Sequence, residues 1–450
     1  MTVTIPLVEL PKIFANNLIK TTANDDKAIS KGITTDTRHL QSGEIFLALV
    51  GEKFDGHDFV TTAIERGASA VIIDREIASD TTPQFIVRDT LLAYQQIAHW
   101  WRNRFEIPII AITGSVGKTS TKELIAAVLG TQGKVLKTQK NYNNEIGVPQ
   151  TLLEITEEHD YAVIEMAMRG LGEIALLTQI AQPTIGVITN VGTAHIGRLG
   201  SEQAIAQAKC ELLAKMARDG IAILNQDNQR LLATATEVWH GTTVTYGLEG
   251  GDIEGKLLDS EIIQIGDNTF SLPLPGVHNA SNFLAAIAVA KVLNIDLALL
   301  KSDLRVELPQ GRARRYELPN DILLLDETYN AGLESMQAAL KMLQQTPGKR
   351  QIAVLGTMKE LGQYAADLHR RVGETVKELE LDLLFVLADE PAAKEIVTGA
   401  APISAECLTN REELILRLQA IIQEGDRILF KASNSVGLNQ VVEKLVTHLK

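Results

Sequence analysis

The sequence predicts an α/β protein of three domains built around parallel sheets. The chain has 450 residues, and at roughly 150 residues per domain this length corresponds to about three hydrophobic cores. Short apolar runs such as EIFLAL, ASAVIID and DYAVIEMA alternate with longer stretches of helical pattern. Strands that are apolar throughout are typical of parallel sheets that are covered on both faces by helices.

Two stretches predict where the domains meet. The basic helical stretch IAHWWRNRFE gives way to a strand at Ile107, and LPQGRARRYELP, residues 308–319, mixes proline, glycine and arginine. The predicted domains are therefore 1–106, 107–314 and 315–450. Residues 241–275 are glycine-rich and β-like, which we interpret as small strands inserted in the central domain.

Composition limits the classes of function. The net charge of -13 disfavours binding to nucleic-acid phosphates, and the two cysteines, Cys210 and Cys407, match no metal-ligand spacing. No apolar run reaches the roughly 20 residues that span a bilayer, and the N-terminus lacks the pattern of a signal peptide. We expect a cytoplasmic, monomeric protein without nucleic-acid or membrane partners.

The stretch AITGSVGKTSTKE, residues 111–123, predicts a phosphate site. A strand (IPIIAIT) leads into a glycine turn and then a helix, so that backbone N–H groups and the helix dipole favour an anion. Lys118 is expected to reach the β- and γ-phosphates, and the Thr119 hydroxyl to ligate Mg²⁺. The usual P-loop pattern has a glycine at position 112, where this chain has Ile112. An ordinary glycine-rich turn is the alternative.

Three polar residues follow at or beyond the next strands. Glu165 ends the strand-like YAVIE, His195 follows the strand-like IGVITN, and Lys209 lies in the helical stretch SEQAIAQAKCELLAK. Ligands bind at the carboxyl ends of the strands in open α/β sheets, so Glu165 and His195 are candidate metal ligands. A salt-bridged glutamate, a structural histidine and a solvated lysine are the alternatives.

Taken in order, these motifs resemble those of the Mur ligase family over nearly the whole chain. They are T-G-x-x-G-K-T, NYNNEIGVP, the strand glutamate, TNVGTAHIG, AKCE, GVHNASN and QGR. The resemblance implies an ATP-dependent ligase of peptidoglycan precursor synthesis that activates a carboxylate as an acyl phosphate. It also implies a UDP-binding N-terminal domain, a central P-loop ATPase-type domain and a Rossmann-like C-terminal domain that binds the amine substrate.

Three stretches resemble family members that join D-alanyl-D-alanine to a UDP-N-acetylmuramoyl-tripeptide. They are TTDTRHLQSGEIFLALVGEKFDGHDFV, LLLDETYNAGLESMQAAL, and VLGTMKELG followed by His369. The chain departs from the family pattern at Glu327, Gly332-Leu333, Cys210 and Ala432. The departures in the third domain lie on the side expected to hold the dipeptide. The sequence does not distinguish diaminopimelate from lysine as the third residue of the UDP-tripeptide.

The resemblance also implies roles for individual residues. The implied catalytic residues are Lys118, Glu165, His195 and Lys209. Thr119 is the expected ligand of the Mg²⁺ that accompanies the ATP phosphates. A second Mg²⁺ is implied at Glu165, His195 and Lys209, with Lys209 modified to a carbamate. The implied ATP contacts are Gly114, Ser115, Val116, Gly117, Lys118, Thr119, Ser120, His278, Asn279, Asn282, Arg312, Asp326, Tyr329 and Asn330. The implied contacts for the UDP substrate are Asp36, Thr37, Arg38, Asp55, Gly56, His57, Asn143 and Asn144.

Two other functions stay open at this point. One keeps the family and changes the amine, as in an enzyme that adds a single amino acid or a folate polyglutamate ligase. The other is a nucleotide-dependent switch on a P-loop scaffold. The N-terminal DTR and DGHDF segments argue against the folate enzyme, and the YNAGLESM and LGTMKELG segments against the amino-acid-adding enzyme. A switch has no evident need for Glu165, His195 and Lys209 together.

Overall fold

The computed structural model describes residues 3–23, 28–78, 82–301, 304–306, 308–309 and 311–449. Three large sheets follow one another along the chain, of five, nine and six strands. Gln310 of the QGR motif and part of the predicted 308–319 boundary lie outside these residues. No helix in the described ranges is long and apolar enough to cross a membrane.

The first sheet occupies the N-terminal part of the chain in the order β2-β7-β6-β5-β4, with β1 and β3 paired beside it. The strands are β1 (Ile5–Pro6), β2 (Leu18–Thr21), β3 (Ile29–Ser30), β4 (Ile33–Thr34), β5 (Ile45–Leu47), β6 (Ala70–Ile73) and β7 (Gln84–Val87). The helices are α1 (Leu10–Phe14), α2 (Val60–Glu65) and α3 (Thr90–Arg102). Strands β4 to β7 are parallel, and β2 pairs antiparallel with β7. The Asp89 side chain caps α3 by accepting a hydrogen bond from Leu92 N.

The central sheet has the order β16-β15-β14-β13-β12-β11-β8-β10-β9. Its strands are β8 (Ile109–Thr113), β9 (Val135–Lys137), β10 (Tyr161–Glu165), β11 (Ile185–Ile188), β12 (Ile221–Asn225), β13 (Thr242–Gly247), β14 (Ile253–Leu257), β15 (Ile262–Ile265) and β16 (Asn268–Ser271). Its helices are α4 (Lys118–Leu129), α5 (Gly147–Leu153), α6 (Glu173–Ala181), α7 (Ile196–Leu199), α8 (Glu202–Lys215), α9 (Gln229–Val238) and α10 (Val277–Val292). Strands β8, β10 and β11 are adjacent and parallel, so their carboxyl ends meet at one edge.

Residues 241–275 form small strands within the central domain, as the sequence predicts. Strand β13 pairs in parallel with β12 and extends the central sheet into β14, β15 and β16. An unpaired edge at β12 would expose backbone N–H and C=O groups, which pairing with these strands satisfies.

The third sheet has the order β17-β18-β22-β19-β20-β21, and all its strands except β17 are parallel. The strands are β17 (Arg314–Leu318), β18 (Ile322–Asp326), β19 (Arg350–Gly356), β20 (Leu383–Leu387), β21 (Ala405–Leu408) and β22 (Asp426–Lys431). The helices are α11 (Leu333–Gln345), α12 (Ala365–Glu378), α13 (Glu395–Ala400), α14 (Arg411–Ile421) and α15 (Leu438–Leu449). Since β17 begins at Arg314, that residue belongs to the third sheet, one residue before the expected start of the domain.

Candidate active site

The phosphate loop, residues 114–117, connects the buried strand β8 to the start of α4. Both glycines of the loop are required because neighbouring side chains leave no room for a Cβ atom. A Cβ atom at Gly114 would lie 1.9 Å from Thr189 Oγ1, and one at Gly117, where φ is +82°, would lie 2.6 Å from Asn282 Oδ1. A helix N-terminus without a side-chain cap leaves backbone N–H groups free for an anion.

The residues after β11 hold this loop in shape. Asn190 accepts from Val116 N through Oδ1 at 3.0 Å and donates to Val116 O through Nδ2 at 3.1 Å. Gly192 N donates to Ser115 Oγ at 2.9 Å. The sequence analysis missed Asn190, although its position directly after a strand in TNVG was the available signal. The phosphate loop is therefore preorganised by the chain itself.

Lys118 points back into the loop. Its Nζ donates to Gly114 O at 2.8 Å. Burial lowers the pKa of Lys118, while the Glu165 carboxylate raises it and the Arg312 guanidinium lowers it further. Lys118 therefore lies within electrostatic range of both Glu165 and Arg312. Thr119 is buried at the first turn of α4, and Ser120 is half-buried beside it.

Glu165 ends β10 with a buried carboxylate that is only partly satisfied. Asn143 Nδ2 donates to its Oε1 at 2.8 Å, and the residue is 2% exposed. Its Oε2 has no hydrogen-bond partner among the residues that the structure describes. A buried, unpaired carboxylate oxygen is costly, and a divalent cation is the kind of ligand that satisfies it. Asn144, in contrast to Asn143, forms a hydrogen bond within its own segment: its Oδ1 accepts from Gly147 N at 2.9 Å at the start of α5.

Lys209 is buried in α8 at 2% exposure. Burial lowers the pKa of Lys209 well below its usual value, and the Lys118 charge acts in the same direction. No described residue forms a hydrogen bond or an ion pair with its amine. An uncharged amine is the form that reacts with carbon dioxide to give a carbamate, so the environment suits that modification.

His195 has a left-handed backbone, with φ at +66°, directly before α7. Its Nδ1 lies 2.6 Å from Glu360 Oε2 of the third domain. Burial lowers the pKa of His195, and the charges of Lys118 and Lys209 also contribute to lowering it. The described part of the chain contains no group of three or more histidine, cysteine, aspartate and glutamate side chains placed to hold a metal.

The third domain and the segment leading into it supply the opposite wall. The Arg312 guanidinium carbon lies 3.9 Å from the centre of the Tyr329 ring, and its buried Nε lacks a hydrogen-bond partner within the described ranges. Asp326, 4% exposed, accepts from Thr328 Oγ1 at 2.6 Å. A cavity of about 350 Å³ between the domains is lined in part by Lys140, Gly311, Asp326 and Tyr329.

The start of α10 lies behind the phosphate loop. Thr121 Oγ1 donates to Asn282 Oδ1 at 3.1 Å, and Asn282 Nδ2 donates to Asn279 Oδ1 at 3.3 Å. Burial lowers the pKa of His278 to about 4, and the charge of Lys431 in the third domain contributes to this shift. Lys431 Nζ in turn donates to the backbone oxygen of Asn330 at 3.0 Å.

The departures from the family pattern are accommodated within the third domain, except for Cys210, which lies in the central domain. Glu327 Oε1 accepts from Ala313 N at 3.0 Å, and burial raises the pKa of Glu327. Gly332 and Leu333 form the start of α11, and Ala432 is buried after β22. Cys210 is buried in α8 next to Lys209. These residues pack without loss of the helix and strand ends that carry the site.

Six of the candidates for the UDP substrate, residues 36–38 and 55–57, lie apart, after β4 and β5. The other two, Asn143 and Asn144, lie beside Glu165 and at the start of α5 instead. Arg38 pairs with Asp36 at 2.6 Å, and Arg66 donates to Thr37 O at 2.6 Å. The His57 side chain is 3% exposed, and its two ring nitrogens contact Asp55 and Asp74 at 2.6 and 3.0 Å.

The structure therefore gives His57 and the buried Gly56 a supporting role in the loop rather than a free surface. Both ring nitrogens of His57 are already engaged, so it offers no free donor or acceptor to a ligand. Arg75, which the sequence analysis missed, pairs with Asp55 at the carboxyl end of β6 and places a second guanidinium at this edge. Two exposed arginines, Arg38 and Arg75, are suited to phosphate oxygens.

Comparison with known proteins gives concordant matches along the chain. Residues 30–100 match the family model "Mur ligase family, catalytic domain", residues 112–290 match "Mur ligase middle domain", and residues 311–434 match "Mur ligase, glutamate ligase domain". A UDP-N-acetylmuramoyl-tripeptide--D-alanyl-D-alanine ligase of Synechocystis sp. is 59% identical over 416 residues, covering 92% of this chain and 91% of its own. The Escherichia coli ligase of the same name is 36% identical, with 92% and 93% covered.

Solved structures are similar over the same length. MurF from Acinetobacter baumannii superposes with a TM-score of 0.90 at 31% identity, covering 99% of both chains. MurF ligase from Thermotoga maritima in complex with ADP superposes with a TM-score of 0.83 at 30% identity, covering 93% of this chain and 97% of its own.

Proposed function

The chain belongs to the Mur ligase family, and we propose that it joins D-alanyl-D-alanine to a UDP-N-acetylmuramoyl-tripeptide in an ATP-dependent reaction. The observation that carries the proposal is the 59% identity to the Synechocystis ligase, which extends over 92% of this chain. Such coverage includes the third domain, where the amine substrate is expected to bind. The reaction belongs to peptidoglycan precursor synthesis.

The reaction proceeds in two steps. A carboxylate oxygen at the end of the UDP-linked peptide attacks the γ-phosphorus of ATP, and ADP leaves. The amine of D-alanyl-D-alanine then attacks the acyl carbon, inorganic phosphate leaves, and the amine loses a proton. The protein's task is to hold both reactants in line and to neutralise the charge on the phosphate oxygens.

The chain's own residues fit the first step. The phosphate loop supplies N–H donors from its preorganised backbone, and Lys118 turns from Gly114 O toward the β- and γ-phosphates. Arg312 approaches from the third-domain side and carries an unpartnered Nε. Asp326, Tyr329, Asn279 and Asn282 are proposed to hold the ribose and adenine. Closure of the third domain would bring Arg312 and Lys118 to the same phosphates and exclude water from the acyl phosphate.

The residues present fit a magnesium requirement. Thr119 would hold the ion that accompanies the ATP phosphates. The unpartnered Oε2 of Glu165, the imidazole of His195 and a carbamate on Lys209 would hold a second ion. Bound Mg²⁺ supplies positive charge to the phosphate oxygens. The low pKa of Lys209 leaves the amine uncharged and able to accept carbon dioxide.

We also propose a division of labour among the domains. Residues 1–106 bind the UDP moiety through Asp36, Arg38 and Asp55, with Arg75 added; residues 107–314 bind ATP; residues 315–450 bind the dipeptide. We propose a monomer as the active form. ATP and UDP-linked precursors are cytoplasmic substrates, and on this ground we propose that the reaction is cytoplasmic.

The test is phosphate release from ATP by the purified protein with a UDP-N-acetylmuramoyl-tripeptide, in the presence and absence of D-alanyl-D-alanine. The proposal expects release that requires both substrates, and a UDP-pentapeptide product by mass spectrometry. Phosphate release that responds to a single amino acid instead of the dipeptide would support the ligase reaction but would contradict D-alanyl-D-alanine as the amine substrate. Release that ignores both substrates would favour a nucleotide-dependent switch.

A further inference from the structure

Among the described residues, three side chains of the third domain, those of Glu334, Glu360 and Tyr364, contact the segment of the central domain between β11 and α8. We refer to residues 191–201 of this segment as the His195 loop. Glu334 Oε1 accepts from Thr193 N at 2.7 Å, Glu360 Oε2 lies 2.6 Å from His195 Nδ1, and the Tyr364 hydroxyl donates to Gly200 O at 2.6 Å. The His195 loop, which carries a candidate metal ligand of the central domain, is thus held by side chains of the third domain.

At the contact between Glu360 and His195, the two backbone segments pack closely against each other. Gly197 N donates to Glu360 O at 3.2 Å, and a Cβ atom at Gly197 would lie 2.5 Å from Gly362 N. Glu360 and His195 both have positive φ angles, +63° and +66°. Such conformations are costly for non-glycine residues and persist only where the surroundings impose them.

The contact between Glu360 and His195 has a chemical consequence. A carboxylate oxygen accepts hydrogen bonds, so Nδ1 of His195 carries the proton that points at Glu360 Oε2. The neutral ring then has its lone pair on Nε2, because the hydrogen bond at one ring nitrogen sets the state of the other. The other oxygen of Glu360, Oε1, lies 3.4 Å from Nη2 of Arg198.

We propose that Glu360 is a positioning residue for the ligase reaction: docking of the third domain fixes His195 as the Nδ1–H tautomer and presents its Nε2 lone pair. The orientation of the ring rests on the observed contact alone, and its effect on turnover rests on the proposed function. Partners that orient a ligating histidine in this way affect metal affinity or activity by roughly 10–100-fold. Glu360 touches neither substrate nor nucleotide in this role.

The first test reads the tautomer directly and needs no activity. The protein is labelled with ¹⁵N-histidine, and its ring nitrogens are recorded by long-range ¹H–¹⁵N spectra without nucleotide or metal; the His195→Gln spectrum assigns the signal. The wild type is expected to show the Nδ1–H tautomer at His195, and Glu360→Ala a shift towards the Nε2–H form. An identical tautomer in both proteins would overturn the proposal, whether or not the protein proves to be the proposed ligase.

The second test separates positioning from general docking. Glu360→Ala is expected to lower kcat roughly 10–100-fold with KM for ATP within about twofold, and to raise the Mg²⁺ concentration for half-maximal rate. Glu360→Gln keeps an acceptor oxygen at the same reach and is expected to restore most of the loss.

Two matched controls complete the kinetic design. Tyr364→Phe removes another contact of the same junction, and Glu395→Gln removes the charge of a third-domain surface pair with Arg370. Within the described part of the chain, neither side chain forms a hydrogen bond or ion pair with His195. Surface changes of this kind alter free energies only slightly, so we expect kcat to stay within about threefold in both variants. An equal loss in Tyr364→Phe and Glu360→Ala would assign the effect to docking and overturn the specific role of Glu360.

Discussion

The two domain junctions of this molecule are built from different interactions. At the first, the end of α3 enters the central domain: Arg102 donates from its guanidinium to the backbone oxygens of Phe105, Ala181 and Gln182, and Trp101 donates to Ile155 O. Both side chains are only 8% exposed. At the second, the contacts run through partly exposed side chains, with Glu360 at 38% and Arg198 at 53% exposure.

The difference indicates which parts move together. Buried hydrogen bonds to backbone groups and aromatic packing hold the N-terminal and central domains as one unit, because opening that junction would leave buried polar groups unpaired. Solvent-exposed ion pairs are worth little and are easily replaced by water. We therefore infer that the third domain is the part that opens, while the two domains proposed to bind UDP and ATP stay fixed relative to each other.

The largest expected effect breaks the first junction. Trp101→Ala removes a buried ring that packs edge-on against Phe105 with 5.2 Å between centroids, and the hydrogen bond to Ile155. We expect the free energy of unfolding to fall by about 3–5 kcal/mol, measured by urea denaturation with far-UV circular dichroism. Tyr364→Phe at the second junction is the control and is expected to change it by less than about 0.5 kcal/mol. Similar losses in both variants would erase the distinction between the junctions.

The second largest effect is expected for a variant that lowers activity without changing either domain junction. Lys118→Ala removes the cation of the phosphate loop, which lies on the fixed side. Loss of one preorganised charge at a transferring phosphate lowers the rate by roughly 10²–10³-fold, and we expect this loss in ATP-dependent phosphate release. The exposed Lys134, paired with Glu158, provides the control variant Lys134→Ala. Normal turnover in Lys118→Ala would refute the assignment of the phosphate loop.

The pH dependence of stability can test the second junction, because Lys431 of the third domain helps to lower the pKa of His278 in the central domain. Its pKa of about 4 in the folded protein lies below the roughly 6.5 of an unfolded chain, so the folded state favours the neutral ring. The stability from this group is fully present above pH about 6.5 and declines as the pH falls towards 4. Between pH 7.5 and 5, we expect the wild type to lose about 1–2 kcal/mol more than His278→Gln, measured by urea denaturation. Parallel pH profiles for the two proteins would show that Lys431 and burial do not act on this ring.

Local motifs account for what the sequence could predict. The prediction of a three-domain α/β fold in the Mur ligase family is confirmed by the family models and by the TM-score of 0.90 to MurF of Acinetobacter baumannii. The phosphate loop could be located because strand, glycines, lysine and helix lie within 13 consecutive residues, as in AITGSVGKTSTKE. Glu165, His195 and Lys209 required the family resemblance, since each alone has an ordinary structural explanation; their roles stay proposals.

Residues that act across long sequence separations escaped prediction. Asn190 supports Val116 from 74 residues away, and Glu360 reaches His195 from 165 residues away. Nothing in either local stretch indicates the partner, because the pairing depends on which loops the sheets bring to one edge. The burial of His57 escaped for the same reason, as Asp74 comes from the next strand of the sheet.

The smallest expected effect concerns Glu334, the first of the three contacts at the second junction. Glu334→Ala removes the acceptor for Thr193 N and Thr193 Oγ1, which lie at 2.7 and 3.2 Å. Both groups can bind water when the third domain moves away, so we expect the free energy of unfolding to change by about 1 kcal/mol or less. Small-angle X-ray scattering without nucleotide should nevertheless show a larger radius of gyration than for the wild type. An unchanged radius would mean that the remaining contacts of the His195 loop suffice to keep the third domain docked, and that the second junction is firmer than its exposed side chains suggest.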